Sequence, residues 1–205
     1  MINVLFIDLD GTILETKERH YKCYRDIIKS NGKPLNKDIY WQLKRKRVGL
    51  DIILKMSKYK YDEKNFLKEW STKIENINWL KYDRLKPDIG KTLRYFTEND
   101  FKVILVTMRQ NKANLIEELT RFNIIECFDK IVCCELREGS KYDMVKNIKY
   151  DDAFFIGDTE EDINTAKLLN IKSIAILNGL REKKFLQEAN YFFYEVKDIT
   201  VNKLI

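Results

Sequence analysis

Six short runs of β-branched, aromatic and other apolar residues recur along this chain, and their order limits the possible folds more than any other feature. They are NVLFI (Asn3 to Ile7), KVILV (Lys102 to Val106), KIVCC (Lys130 to Cys134), AFFIG (Ala153 to Gly157), SIAIL (Ser173 to Leu177) and YFFY (Tyr191 to Tyr194). Amphipathic helical stretches separate most of them. Strands alternating with helices in this way specify a parallel α/β sheet.

From about Thr16 to Leu85 the strand signals vanish and helical periodicity takes over. Tyr21, Tyr24 and Ile28 line one face, with Gly32 as a stop signal. Asp62 is placed to cap a further helix in which Phe66, Trp70, Ile74 and Ile77 recur at three- and four-residue spacing. The expected organisation is therefore an α/β core from residues 1–15 and 86–205, with residues 16–85 inserted as a helical cap after the first strand. An insertion leaving at that point is expected above the carboxyl ends of the strands, where ligands bind in such sheets.

Composition excludes several classes. The 205 residues are 44% hydrophobic and 34% charged, with only 7 Gly and 2 Pro, as in a folded globular protein. The apolar runs fall short of the roughly 18 to 20 residues a bilayer span needs. The opening MINVLFIDLDG has no basic leader or small-residue cleavage site, so a cytoplasmic location without membrane attachment is expected. Four cysteines lie at spacings that fit neither a disulfide framework nor a zinc site, and they read as reduced packing residues. The formal charge of +6 is spread along the chain, which reads as a solvated surface and not a nucleic-acid face. A mildly positive field also helps gather anionic substrates.

The chemistry concentrates at strand ends. The first strand stops at Asp8-Leu9-Asp10-Gly11-Thr12. A structural account makes Asp8 a turn or capping residue, yet it leaves the second carboxylate unexplained. Continued strand geometry would point Asp8 and Asp10 the same way, and like charges that close repel unless a cation lies between them. Gly11 then admits a backbone conformation or a close approach that a side chain would block. KVILV runs into the hydroxyl of Thr107, and AFFIG runs into Asp158-Thr159-Glu160-Glu161-Asp162. With those strands adjacent, Asp8, Asp158 and Asp162 make a hard oxygen site suited to magnesium. Lys141 follows the turn Glu138-Gly139-Ser140 and opens a helical pattern running to Ile148. It reads either as a salt bridge to that cluster or as a ligand of phosphate oxygens.

In this order the motifs resemble the haloacid dehalogenase superfamily, and among its members the phosphatases with a helical cap, such as phosphoglycolate phosphatase and β-phosphoglucomutase. The resemblance covers nearly the whole chain: DLDGT, Thr107, Lys141 and GDTEED (Gly157 to Asp162) stand where the family has its four motifs. It implies a Rossmann-like core and a phosphoric monoester hydrolase acting on a small phosphorylated metabolite. Asp8 would be the nucleophile and Asp10 the general acid and base. Magnesium would be held by Asp8, the Asp10 main-chain carbonyl and Asp158, with Gly11, Thr12, Met108 and Asp162 supporting phosphate and metal. Thr107 and Lys141 would hold the phosphoryl oxygens. The acid at Asp10 argues against halide chemistry, since the true dehalogenases of the family lack it.

The chain departs from the family pattern in places. Met108 stands where relatives often carry Asn or Ser, and Arg109 where they often carry Lys or Arg. No Pro follows Lys141, and Lys146 competes for its role from one turn further on. In the cap, His20 falls near the position of a histidine in β-phosphoglucomutases, which leaves a hinge role beside simple packing. The run Lys44-Arg45-Lys46-Arg47 before Gly49 reads either as a solvated helix face or as the segment that contacts substrate, with Arg47 and Gly49 the best matches. The leading expectation is a phosphatase that is a monomer or weak homodimer. A sugar phosphomutase and a non-catalytic phosphate-binding regulator are the alternatives.

Overall fold

The computed structural model describes residues 2–203. In chain order, β1 (Asn3–Ile7) and the two-residue β2 (Leu14–Glu15) lead into five helices: α1 (Lys17–Ile28), α2 (Lys37–Arg45), α3 (Leu50–Met56), α4 (Glu63–Lys73) and α5 (Ile77–Leu80). After β3 (Arg84–Leu85), strands and helices alternate through α6 (Ile89–Glu98), β4 (Phe101–Thr107), α7 (Lys112–Arg121), β5 (Lys130–Cys133), α8 (Ser140–Val145), β6 (Asp152–Gly157) and α9 (Glu160–Leu168). The chain closes with β7 (Lys172–Ile176) and β8 (Tyr191–Phe193). It divides into two compact units: the stretch up to Glu15 together with that from Leu85 onward, and the helical insertion Thr16–Arg84.

The first unit is built on a six-stranded sheet in the order β5-β4-β1-β6-β7-β8, with every pairing parallel. Ile7 aligns with Leu105 of β4 on one side and Ile156 of β6 on the other. β1 is therefore central, and strand order reverses around it. The carboxyl ends of β1, β4 and β6 meet at that reversal, the usual ligand-binding crevice of an open parallel sheet.

The uninterrupted apolar text of β1 from Val4 to Ile7 has a direct cause. Leu5 and Ile7 pack on one face with Leu93 and Phe96 of α6 and Leu115 and Leu119 of α7. Val4 and Phe6 pack on the other with Val145 of α8 and Ala166 of α9. A strand covered on both faces has no position that tolerates a polar side chain. Polarity therefore begins only where the strand ends, at Asp8.

The helical unit has its own core. The Tyr24 and Tyr40 rings stack with centroids 4.2 Å apart, and the Tyr24 hydroxyl shares a hydrogen bond with Ser57. Buried Arg19 near the start of the unit donates to buried Asp83 near its end at 3.0 Å. α1 stops at Ile28, ahead of Gly32, and Asp62 caps α4 by accepting from the Asn65 amide at 2.9 Å. Ile77 does not continue α4. The helix ends at Lys73, and Asn76 caps a separate short helix by accepting from the Asn78 amide at 3.0 Å. No described helix is long and apolar enough to cross a membrane.

Candidate active site

Asp8 is the first residue past β1, and its N–H donates to the Ile156 carbonyl at 2.9 Å, which holds the chain beside β6 as the strand ends. Its side chain is buried with those of Asp158, just past β6, and Asp162, in the first turn of α9. One carboxylate oxygen from each lies within 4.8 Å of the others. The cluster joins residues far apart in sequence because neighbouring parallel strands end at the same edge of the sheet.

Each carboxylate is held by its own donors. Asp158 accepts from the Thr12 hydroxyl at 3.0 Å and the Leu180 amide at 2.5 Å. Asp162 accepts from the Thr159 amide and hydroxyl at 3.0 and 2.8 Å, which caps α9. Lys141, 3% exposed in the first turn of α8, donates to Asp8 at 2.5 Å and to Asp162 at 2.6 Å. Close packing around Asp158 explains two glycines. A Cβ on Gly11, whose φ is +92°, would lie 2.1 Å from Asp158 Oδ2, and one on Gly179 would lie 2.3 Å from Asp158 Cβ.

The electrostatics leave this cluster short of positive charge. Burial lifts the Asp8 carboxyl well above the usual aspartate range, Lys141 opposes the shift, and Asp162 and Asp158 reinforce it. Burial, with Asp162, raises Asp158 to about 6 against the pull of the Leu180 amide, Lys86 and Thr12. Burial disfavours the charge of Lys141, but Asp162 and Asp8 outweigh it and hold the ammonium charged beyond the ordinary lysine range. Three carboxylates share one bridging ammonium. Hard oxygen donors with that deficit fit a divalent cation such as magnesium.

A profile of the haloacid dehalogenase-like hydrolases matches residues 4–176. The chain belongs to this family. A curated relative, the phosphorylated carbohydrates phosphatase of Thermotoga maritima, is 22% identical over 199 residues, covering 92% of this chain and 91% of that protein. Among solved structures, a predicted phosphatase from Clostridium acetobutylicum aligns with a TM-score of 0.77 at 22% identity, covering 100% of this chain and 99% of that one. A β-phosphoglucomutase from Clostridium difficile aligns with a TM-score of 0.69 at 22% identity, covering 100% and 96%. These two structural likenesses establish the shared fold.

Within this haloacid dehalogenase-like fold, Asp8, Thr12, Lys141, Asp158 and Asp162 come together. Thr107 closes β4 at the same edge of the sheet, is 1% exposed, and accepts from the Arg109 amide at 3.3 Å. Met108 packs half-buried against the core between the sheet and α8 and α9. Of the two candidate lysines, Lys141 reaches the carboxylates, while Lys146 caps the end of α8 and pairs with Asp143 at 2.9 Å. The Asp10 carboxylate is not part of the three-carboxylate cluster. β1 ends at Ile7, so strand alternation no longer governs Asp10, and its side chain pairs with Arg109.

His20, Arg47 and Gly49 belong to the helical unit. His20 on α1 lies edge-on to the rings of Trp41 and Trp70, at centroid distances of 6.0 and 5.5 Å. Arg47 follows α2 with φ 56°, and Gly49 is the N-cap of α3.

Two features escape the sequence reading. Lys86, which follows β3, is 4% exposed and donates to the Gly11 carbonyl and to Asn178 Oδ1, the latter at 2.6 Å. Burial pulls its ammonium below the ordinary lysine range, while Asp158, Glu15, Glu195 and Asp8 act the other way. The second is fully buried Glu118, which accepts from Arg109 at 3.2 Å. Neither has a local signal, because a lone charged residue in a helical or turn segment ordinarily reads as surface.

Proposed function

We propose that this chain is a magnesium-dependent phosphatase that hydrolyses a small phosphorylated metabolite through an aspartyl phosphate on Asp8. The observation that carries the reading is a buried carboxylate at the carboxyl end of the central strand, bonded to a buried lysine and flanked by two further carboxylates. A purely structural ion pair would need only one carboxylate. The named T. maritima relative, a phosphatase of phosphorylated carbohydrates, supports the same class of substrate.

Magnesium would be held by Asp8, Asp158 and the Asp10 main-chain carbonyl with Asp162 beside them, and when bound it supplies positive charge against the phosphoryl oxygens. The Asp8 carboxylate attacks phosphorus, the bond to the ester oxygen breaks, and Asp10 gives that oxygen a proton. Lys141 and the Thr107 hydroxyl donate to the phosphoryl oxygens as negative charge shifts onto them. Water then attacks the phosphoryl group, Asp10 takes its proton, and the bond to Asp8 breaks to release phosphate. Asp162 keeps Lys141 in line through the bond described above.

The test is a panel of phosphorylated metabolites supplied with magnesium, scored for both inorganic phosphate and isomerised product. Phosphate release from a small ester is expected. Isomerisation of a sugar phosphate without net release would move the chain to the phosphomutases, and inertness toward the whole panel would contradict catalysis.

A further inference from the structure

Arg109 grips Asp10 with both sides of one fork. Its Nε donates to Oδ2 at 2.6 Å and its Nη2 to Oδ1 at 2.7 Å, the bidentate geometry that fixes a carboxylate in plane and direction. The guanidinium is itself fixed from behind. Its side chain is 4% exposed, and Nη2 also donates to Glu118 on α7, whose flanking Leu115 and Leu119 are core residues. The charge order is thus carboxylate, guanidinium, carboxylate, running from Asp10 at the strand edge to a fully buried anchor.

We propose that Arg109 is a positioning residue that aims Asp10 for the second half-reaction, hydrolysis of the phosphoryl-enzyme. The proposal rests on the phosphatase reading above. A carboxylate offers about four lone-pair sites, and a bidentate fork takes two of them. In the second step the water oxygen bonds to phosphorus, the phosphorus–oxygen bond to Asp8 breaks, and the water proton passes to Asp10. Asp10 is then already in the accepting form and already oriented. In the first step Asp10 must instead deliver a proton to the departing ester oxygen, a task that a charge-assisted fork does nothing to assist. Removing the fork should therefore slow the second step and spare the first.

The experiment is rapid mixing of the full chain with para-nitrophenyl phosphate and magnesium, whose good leaving group departs without a proton. The wild type is compared with Arg109→Lys, which keeps a cation but loses the fork, and with Arg109→Met/Glu118→Met. The double variant removes the buried anchor with its partner, so Glu118 is not left as an unpaired carboxylate in the core. The double variant is expected to show a burst of nitrophenol equal to the enzyme present, then steady turnover at least about tenfold below wild type, with kcat/KM kept within about threefold. Arg109→Lys should recover part of the lost kcat. If kcat/KM falls with kcat and no burst appears, Arg109 is a scaffold or a substrate contact and the proposal fails; unchanged kcat in the double variant overturns it equally. A wild type that turns over no phosphate ester would remove the phosphatase reading and this proposal with it, whereas wild-type turnover without a burst in the variants removes the proposal alone.

Discussion

Lys141 is bonded to Asp8 across 133 positions of sequence, Nζ to Oδ1 at 2.5 Å, with both groups buried. The same ammonium donates to Asp162, so it bridges two members of the carboxylate cluster. Lys141→Met should lower kcat by about a hundredfold or more, the scale of losing one aimed electrostatic donor. Lys146→Met removes an exposed pair with Asp143 and should stay within about twofold, as surface ion pairs contribute little. Steady-state rates of the two variants on one substrate make the comparison, and a reversed order would contradict the assignment.

Asp158 ties folding stability to pH. Its carboxyl is raised to about 6 by burial first and Asp162 second, whereas an unfolded aspartate ionises near about 3.9. The folded state therefore binds the extra proton between those values, and this contribution is present below the lower value and lost as pH rises through the upper one. Metal-free wild type should lose roughly 2 to 3 kcal/mol relative to Asp158→Asn between about pH 4 and pH 7. Urea unfolding of both proteins in chelator measures the difference, and a gain by the wild type over that range would contradict it. At pH 7, magnesium should raise the unfolding midpoint of the wild type by more than that of the variant.

Lys86 joins the Gly11 turn to the Asn178 loop, whose neighbour Leu180 holds Asp158. Lys86→Met keeps the length of the side chain but leaves the Gly11 carbonyl and the Asn178 amide oxygen without this donor. The expected cost is about 1 to 3 kcal/mol of stability. Activity should fall as well, because both loops set the carboxylates. Thermal unfolding and turnover measured together check this; a fully active, equally stable variant would show that Lys86 merely fills space.

What the chain reveals before folding follows physical lines. All six sheet strands are legible from their apolar runs, which are longest where a strand such as β1 or β6 is buried on both faces, and their ends shift by one residue where a neighbour such as Phe101 or Lys172 extends the ladder. Asp8 and Asp158 are legible because they break those runs at their carboxyl ends, and Asp162 because it follows in the acidic run that opens α9. The pattern from Phe66 to Ile77 misleads, since apolar spacing does not register the cap at Asn76 that starts a new helix. The helical pattern from Lys141 to Ile148 likewise proves shorter, ending at Val145. Lys86 is illegible because its burial is decided by distant partners, 75 and 92 positions away, and Glu118 because its spacing to Arg121 reads as an ordinary exposed helix pair, whereas its burial follows from the placement of Arg109.

The central claim is that the phosphoryl group passes onto Asp8. Asp10→Asn should accumulate that species, because its amide cannot take the proton from water, and a para-nitrophenyl ester needs no acid to depart. The measurement is acid quenching of Asp10→Asn after brief exposure to para-nitrophenyl phosphate and magnesium, then mass analysis of its peptides. One phosphoryl group per chain is predicted on the peptide carrying Asp8, with none in Asp8→Asn, whose kcat should also fall by at least about a hundredfold, or roughly 2.7 kcal/mol. A phosphoryl group on another residue, or an Asp8→Asn variant that still turns over near the wild-type rate, would contradict the account.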